Sequence, residues 1–206
     1  MILVTGGTGV VGSALVSALV ERRRPVCVLS RTPERQTQRP HAVAITRADL
    51  RDPAALEAAV DGVDAVVHLA AALPRDGMTA ETIHAVNTEG TGNLARAAAA
   101  RRVRQFVYVS SAGVYGNSVD PRPRVETDSP RPQTIYEKTK LGGENAVRQA
   151  FEHAPTSWVI LRPCGIHGPR RRATVDFYRQ IARQRFWFHG PARVIVHPTY
   201  INDVVS

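Results

Sequence analysis

Short blocks of uninterrupted apolar residues alternate along this chain with longer stretches in which apolar positions return every three or four residues. The first kind reads as buried strand, the second as amphipathic helix. Strands are expected at Ile2–Val4, Val26–Leu29, Ala42–Ile45, Ala65–Ala70, Phe106–Ser110 and Ser157–Arg162. Helices are expected from Gly9 to about Arg22, over Pro53–Val60, from about Ala80 to Ala100, and from Ile135 to about Glu152. In the first of these, Ala14, Leu15, Ala18 and Leu19 share a face. Asp52 stands where it can cap the Pro53 helix, and Asp61-Gly62 forms a turn before the fourth strand. Strands that are apolar throughout imply a parallel sheet covered on both faces. With right-handed crossovers this gives an α/β, doubly wound parallel sheet. The interval Asn117–Pro132 breaks the rhythm with Pro121, Pro123, Pro130 and Pro132 among charges, and reads as a surface loop. Beyond Pro163 the rhythm changes again, with a helix expected over Arg170–Arg185 and a short strand over Arg193–His197.

Composition narrows the class. At 206 residues the chain can bury one full core and begin a second domain. No apolar run approaches the ~20 residues of a spanning helix. Met1-Ile2-Leu3-Val4 has no basic segment before it, which speaks against a signal peptide and for a cytoplasmic protein. Cys27 and Cys164 lack metal-ligand spacing and read as reduced thiols. The net charge of +9 is carried almost wholly by arginine. The arginines are scattered, with Arg22-Arg23-Arg24 and Arg101-Arg102 at helix C-termini, where cations are favourable. That distribution speaks against nucleic acid and membrane as partners and matches a phosphate-bearing cofactor.

The chemistry begins at the first turn. Thr5-Gly6-Gly7-Thr8-Gly9-Val10-Val11-Gly12 follows a strand and opens a helix, the context that a dinucleotide fingerprint requires. Gly6 permits the tight turn, Gly9 lets backbone approach a pyrophosphate, and Gly12 lets the helix pack on the strand. The N–H groups of the first helical turn, at Val10 and Val11, then face the phosphate charge. At the end of the second strand, where an acid would bind the ribose of NAD, stand Ser30 and Arg31, with Arg35 beyond. A hydroxyl and a guanidinium there favour the 2′-phosphate of NADP, with NAD as the other cofactor the turn accepts.

Further segments follow in a recognisable order: Ala48-Asp49-Leu50, Asp64-Ala65-Val66-Val67-His68-Leu69-Ala70-Ala71, Asn87-Thr88-Glu89-Gly90-Thr91, Val109-Ser110-Ser111-Ala112-Gly113-Val114-Tyr115-Gly116, Tyr136-Glu137-Lys138-Thr139-Lys140, Leu161-Arg162-Pro163 and Tyr200-Ile201-Asn202-Asp203-Val204-Val205. With the glycine turn, they make the chain resemble the extended short-chain dehydrogenases/reductases, the NAD(P)-dependent sugar epimerase/dehydratase group. The resemblance implies a Rossmann fold. It also implies that Asp49 and Leu50 flank the adenine, that Leu69, Ala70 and Ala71 line the pyrophosphate and nicotinamide side, and that Pro163 lies near the carboxamide. Tyr136 and Lys140 match the family's catalytic pair and Ser111 its catalytic serine. A homodimer through helices that include the tyrosine helix is a further expectation of the resemblance.

Tyr136 and Lys140 are four residues apart and share a helix face. A nearby ammonium is expected to lower the phenol's pKa, so that Tyr136 exchanges a proton with a substrate hydroxyl or carbonyl while the nicotinamide moves a hydride. Ser111 follows the fifth strand, at the sheet edge where such folds bind ligands, and is placed to hydrogen-bond the reacting oxygen. Ser110 is the rival and is expected to point into the sheet. Asn87 reads either as ordering the site or as structural. His68 and Tyr115 read as core residues. Arg170–Arg172 read as a solvated loop or as a contact to a substrate pyrophosphate. His167 and His197 have no ligating partners at useful spacing, so no metal is expected.

The reading divides the chain into a dinucleotide-binding domain, 1–163, and the start of a substrate-binding region, 164–206. In the resembled family this region continues well beyond this point, so the chain reads as either truncated or a shortened family member, with a truncated C-terminal lobe and exposed apolar surface expected where the rest would pack. The leading expectation is an oxidoreductase or epimerase acting on a hydroxyl or ketone of a small molecule, with a nucleotide sugar as the candidate substrate. Dehydration is disfavoured because no Asp-Glu pair follows Ser111. The alternative is a non-catalytic NADP-binding regulatory protein.

Overall fold

The computed structural model describes residues 1–35, 43–74, 77–117, 122–169, 172–185 and 197–206. Six parallel strands form the main sheet: β1 (Ile2–Thr5), β2 (Val26–Ser30), β3 (Val43–Arg47), β4 (Ala65–His68), β5 (Gln105–Val109) and β6 (Ser157–Leu161). Their order is β3-β2-β1-β4-β5-β6. The chain winds outward from β1 to β3, returns to lay β4 beside β1, and winds outward the other way. A doubly wound sheet opens a crevice at the carboxyl ends of the strands where that order reverses, here β1 and β4.

The strands alternate their side chains between two cores. Leu3, Cys27, Leu29, Val66, Phe106 and Tyr108 pack on one face with Leu56, Leu94, Ala98, Val147 and Phe151. Those partners come from α2 (Pro53–Ala59), α4 (Gly90–Ala100) and α5 (Ile135–Phe151). Val4, Val26, Val28 and Val43 face the other side, against Val16, Leu15 and Leu19 of α1 (Val10–Glu21). The cover stops at β6. Trp158, Val159 and Leu161 are 39%, 45% and 40% exposed, so this edge strand is not buried on both faces as its composition suggested.

The helix expected over Ala80–Ala100 is resolved into α3 (Ala80–His84), a π-helical turn over Ala85–Glu89, and α4. π-Turns inside helices recur at functional sites because they re-aim side chains, and this one carries Asn87. Asp52 caps α2 by accepting from the Ala55 N–H at 3.1 Å. A two-stranded sheet pairs β7 (Ile166–His167) with β8 (Thr199–Tyr200). The expected helix after Arg170 is α6 (Arg172–Ala182), and α7 (Ile201–Val205) follows β8. Ala42, Arg170, Arg171 and residues 193–196 of the strand expected over Arg193–His197 lie outside the described residues. Among those described, no helix is long and apolar enough to cross a membrane.

Candidate active site

The glycine turn occupies the crevice. Gly6 has φ +69°, a left-handed conformation that any Cβ would strain. A Cβ there would also stand 2.7 Å from the Ala70 nitrogen, so the turn after β1 lies directly against the backbone after β4. At Gly12 a Cβ would run into the Gly6 carbonyl oxygen and lie 2.7 Å from the Gly7 Cα. The helix thus begins directly on the turn. No side chain caps α1, whose N-cap is Gly9 and whose first turn holds no acid. By contrast α2, α3 and α5 are each capped by a side chain: Asp52, Thr79 and Thr134. The first-turn N–H groups of Val10, Val11 and Gly12 are therefore left for an outside acceptor, and a pyrophosphate fits this cradle.

The flanks of the crevice differ in what they offer. Ser30 ends β2, and its hydroxyl accepts from the Thr32 N–H at 3.2 Å, while Arg31 is exposed. Asp49 is held by Arg51 through Nε at 3.0 Å and Nη2 at 2.7 Å. That pairing, with a smaller contribution from Arg31, keeps its carboxyl below the usual range. Leu50 turns into the core, and its carbonyl accepts from Asn93 at 3.0 Å. Of the expected adenine pair, Asp49 is thus the more accessible member.

On the opposite wall, the segment after β4 is pinned. The amide of Asn87 clasps the Ala72 backbone, its Oδ1 accepting from the N–H at 2.7 Å and its Nδ2 donating to the carbonyl at 2.9 Å. The same Nδ2 donates to Thr139 Oγ1 at 3.1 Å, and that hydroxyl donates to the Tyr136 carbonyl at 3.0 Å. Asn87 therefore ties the wall carrying Leu69, Ala70 and Ala71 to the helix carrying Tyr136.

That helix starts at a capping box. Thr134 Oγ1 accepts from the Glu137 N–H at 3.3 Å, and Glu137 Oε2 accepts from the Thr134 N–H at 2.9 Å. Glu137, the acid beside Tyr136, is thus engaged in structure. One turn on, Lys140 is 2% exposed. Its Nζ donates to the Val109 carbonyl at 2.7 Å and lies 4.3 Å from the centre of the Tyr108 ring. Burial pushes its pKa down to about 7, with Glu144 opposing the shift. The expectation of a lowered Tyr136 pKa is not met: burial raises it. The physical reason is direction. The amine is aimed at the end of β5, and no ammonium offsets the phenol's desolvation.

The two serines after β5 part as expected. Ser110 is buried, and its hydroxyl donates to Glu144 Oε1 at 2.7 Å. Ser111 is half-buried, and its hydroxyl accepts from the Gly113 N–H at 3.1 Å at the head of a short 3₁₀ turn, Ala112–Tyr115. Pro163 supports this turn, its carbonyl accepting from the Ala112 N–H at 3.0 Å.

Sequence reasoning missed Glu144. It is fully buried yet accepts from Ser110, Arg148 and Arg162. Burial alone would raise its pKa, but these donors outweigh that and hold it low. The signal was present: Tyr136, Lys140 and Glu144 recur every four residues on one helix face. Arg162 also donates to the Tyr115 hydroxyl at 2.6 Å, so Tyr115 is not the plain core residue expected. Among the described residues no group of His, Cys, Asp or Glu gathers in a way that could hold a metal ion. Both cysteines are free.

Residues 2–198 match the model of the NAD dependent epimerase/dehydratase family. The chain belongs to that family. A 2-alkyl-3-oxoalkanoate reductase of Stenotrophomonas maltophilia is 35% identical over 98% of this chain and 62% of its own length. A dTDP-4-dehydrorhamnose reductase of Mycobacterium tuberculosis is 32% identical over 100% of this chain and 63% of its own. This family member thus spans about three fifths of those relatives. Among solved structures, a short-chain dehydrogenase/reductase superfamily protein from Agrobacterium tumefaciens with bound NAD superposes with a TM-score of 0.80. It is 30% identical and covers 100% of this chain and 71% of its own.

Proposed function

We propose that this chain binds NAD(P) across the β1–β4 crevice and acts as an oxidoreductase or epimerase on a hydroxyl or ketone, with a nucleotide sugar as substrate. The observation that carries this reading is the burial of Lys140 one turn after Tyr136, with its amine bonded at 2.7 Å to the Val109 carbonyl, two residues before Ser111. A buried amine is costly to keep unless it is hydrogen-bonded, and this bond joins the two elements that carry the other candidate groups.

The roles follow from the chemistry of each group. Gly6, Gly9, Val10, Val11 and Gly12 hold the pyrophosphate. Ser30, Arg31, Asp49 and Leu50 take the adenosine end, and Leu69, Ala70, Ala71 and Pro163 the nicotinamide side. The nicotinamide, when bound, supplies the hydride acceptor or donor. Tyr136 exchanges a proton with the substrate oxygen, entering as the neutral phenol because burial raises its pKa. Ser111 hydrogen-bonds that same oxygen. Lys140, its pKa lowered to about 7 by burial, ties the Tyr136 helix to the end of β5 through the Val109 carbonyl. The dTDP-sugar reductase among the relatives supports the substrate class, and exposed Arg31 favours NADP over NAD by at least about tenfold.

The test is to incubate the protein with each cofactor, oxidised and reduced, and a panel of UDP- and dTDP-linked hexoses and their keto forms. The expected result is an epimerised or reduced sugar that requires the cofactor. Tight cofactor binding without turnover on any member would favour the regulatory alternative.

A further inference from the structure

His68 ends β4 and is fully buried beneath the crevice. Its Nδ1 lies 2.6 Å from Thr5 Oγ1 and its Nε2 lies 2.9 Å from Thr91 Oγ1. The directions of these bonds can be deduced. Thr91 Oγ1 lies 2.7 Å from the Asn87 carbonyl, which only accepts, so the single hydroxyl hydrogen of Thr91 is spent there. Towards His68 it must accept, and Nε2 therefore carries the proton. Burial, with the nearby Lys140 charge adding to it, pushes the imidazole pKa down to about 3, so the ring is neutral and Nδ1 is bare. Thr5 Oγ1 must then donate to Nδ1, which leaves it a lone pair for the Ala70 N–H at 3.1 Å. A one-way chain results: Ala70 N–H to Thr5, Thr5 to His68, His68 to Thr91, Thr91 to the Asn87 carbonyl.

The chain ends beside the glycine turn. Thr5 immediately precedes Gly6, and Ala70 is the residue that a Cβ on Gly6 would strike. We propose that His68 is a positioning residue for the dinucleotide, fixing the Thr5 hydroxyl so that the Ala70 wall stays in register with the Gly6 turn. This rests on the crevice being the NAD(P) site. The imidazole takes no part in proton transfer. Its ring stacks on Tyr108, with centroids 5.4 Å apart, and has no hydrogen left to give.

Two isosteric substitutions separate the ends of the chain. In His68→Asn the carbonyl stands in for Nδ1 and still accepts from Thr5. In His68→Gln the amide nitrogen stands in for Nε2 and still donates to Thr91. Fluorescence titration of the purified chain with NADPH and NADH should show Kd raised about tenfold in His68→Gln, the equivalent of one lost hydrogen bond. His68→Asn should stay within about threefold while its melting temperature falls. Thr5→Val should match His68→Gln, and the double variant should be no worse than either. Parallel loss of affinity and melting temperature in both His68 variants would mean a structural role only and overturn the proposal. Absence of binding by the wild-type chain overturns the cofactor reading as well, whereas wild-type binding unchanged in His68→Gln overturns this proposal alone. If the variants fail to fold, ¹⁵N NMR of the wild-type imidazole decides. A neutral ring protonated at Nε2 down to pH 5 is expected, and an Nδ1–H tautomer or an imidazolium contradicts it.

Discussion

Arg162 meets Glu144 fork to fork, with Nε 2.8 Å from Oε1 and Nη2 2.6 Å from Oε2. The pair joins the end of β6 to the middle of α5, and both residues reach on to the Ser111 turn. Glu144 takes the Ser110 hydroxyl, and Arg162 takes the Tyr115 hydroxyl at the other end of that turn. Leu161 and Pro163, on either side of Arg162, accept from the Ser110 and Ala112 N–H groups. Ser111 is therefore held from both sides by one strand end.

Breaking that pair should be expensive. Arg162→Met leaves a fully buried carboxylate short of its main partner, which should cost about 3–5 kcal/mol in urea unfolding. Glu144→Met in addition should recover much of the loss. Because the Glu144 carboxyl is held below its ordinary pKa, the pair's contribution is complete above about pH 4.3, its unfolded value, and is lost as pH falls through the folded one. Arg162→Met should flatten that acid limb.

Lys140 works in the opposite direction. Its folded pKa of about 7 lies below the unfolded value of about 10.4, so between these limits the unfolded chain binds the extra proton. Stability attributable to Lys140 therefore rises with pH across that window, by on the order of 4 kcal/mol in all. Comparing wild type with Lys140→Met in urea melts from pH 6 to 9 isolates it. The wild type should gain relative to the variant as pH rises.

The cradle admits no side chain at Gly12, where a Cβ would meet the Gly6 carbonyl. Gly12→Val should push α1 off the turn and weaken NADPH binding at least about a hundredfold, the equivalent of roughly 2.7 kcal/mol. Calorimetric titration reads this directly.

Arg31→Ala should remove the preference between the cofactors. NADP affinity should fall about tenfold, NAD affinity should barely change, and the loss should shrink at high salt because the side chain is exposed.

Much of this was legible in the sequence. The six strands and the glycine turn declare themselves because apolar runs and strand–turn–helix order are local patterns. Ser110 was expected to point into the sheet, and its burial against Glu144 agrees with that. The π-turn around Asn87 was not legible, since helical periodicity absorbs one extra residue without breaking. Glu144 and Arg162 lie on different elements, and nothing in either segment alone announces the pairing. The pKa of Tyr136 was misjudged because a four-residue spacing reports a shared helix face and not where the amine points. His68 was read as a core residue. Its hydrogen-bond chain needs β1, β4 and the α4 segment in place at once, and only the fold supplies that.

The most direct test of the account is Tyr136→Phe, assayed with the sugar substrate that the panel identifies. The account predicts that NADPH binds as in the wild type while turnover falls at least about a hundredfold, the size of a lost general acid–base group. Turnover within about tenfold of wild type would contradict it.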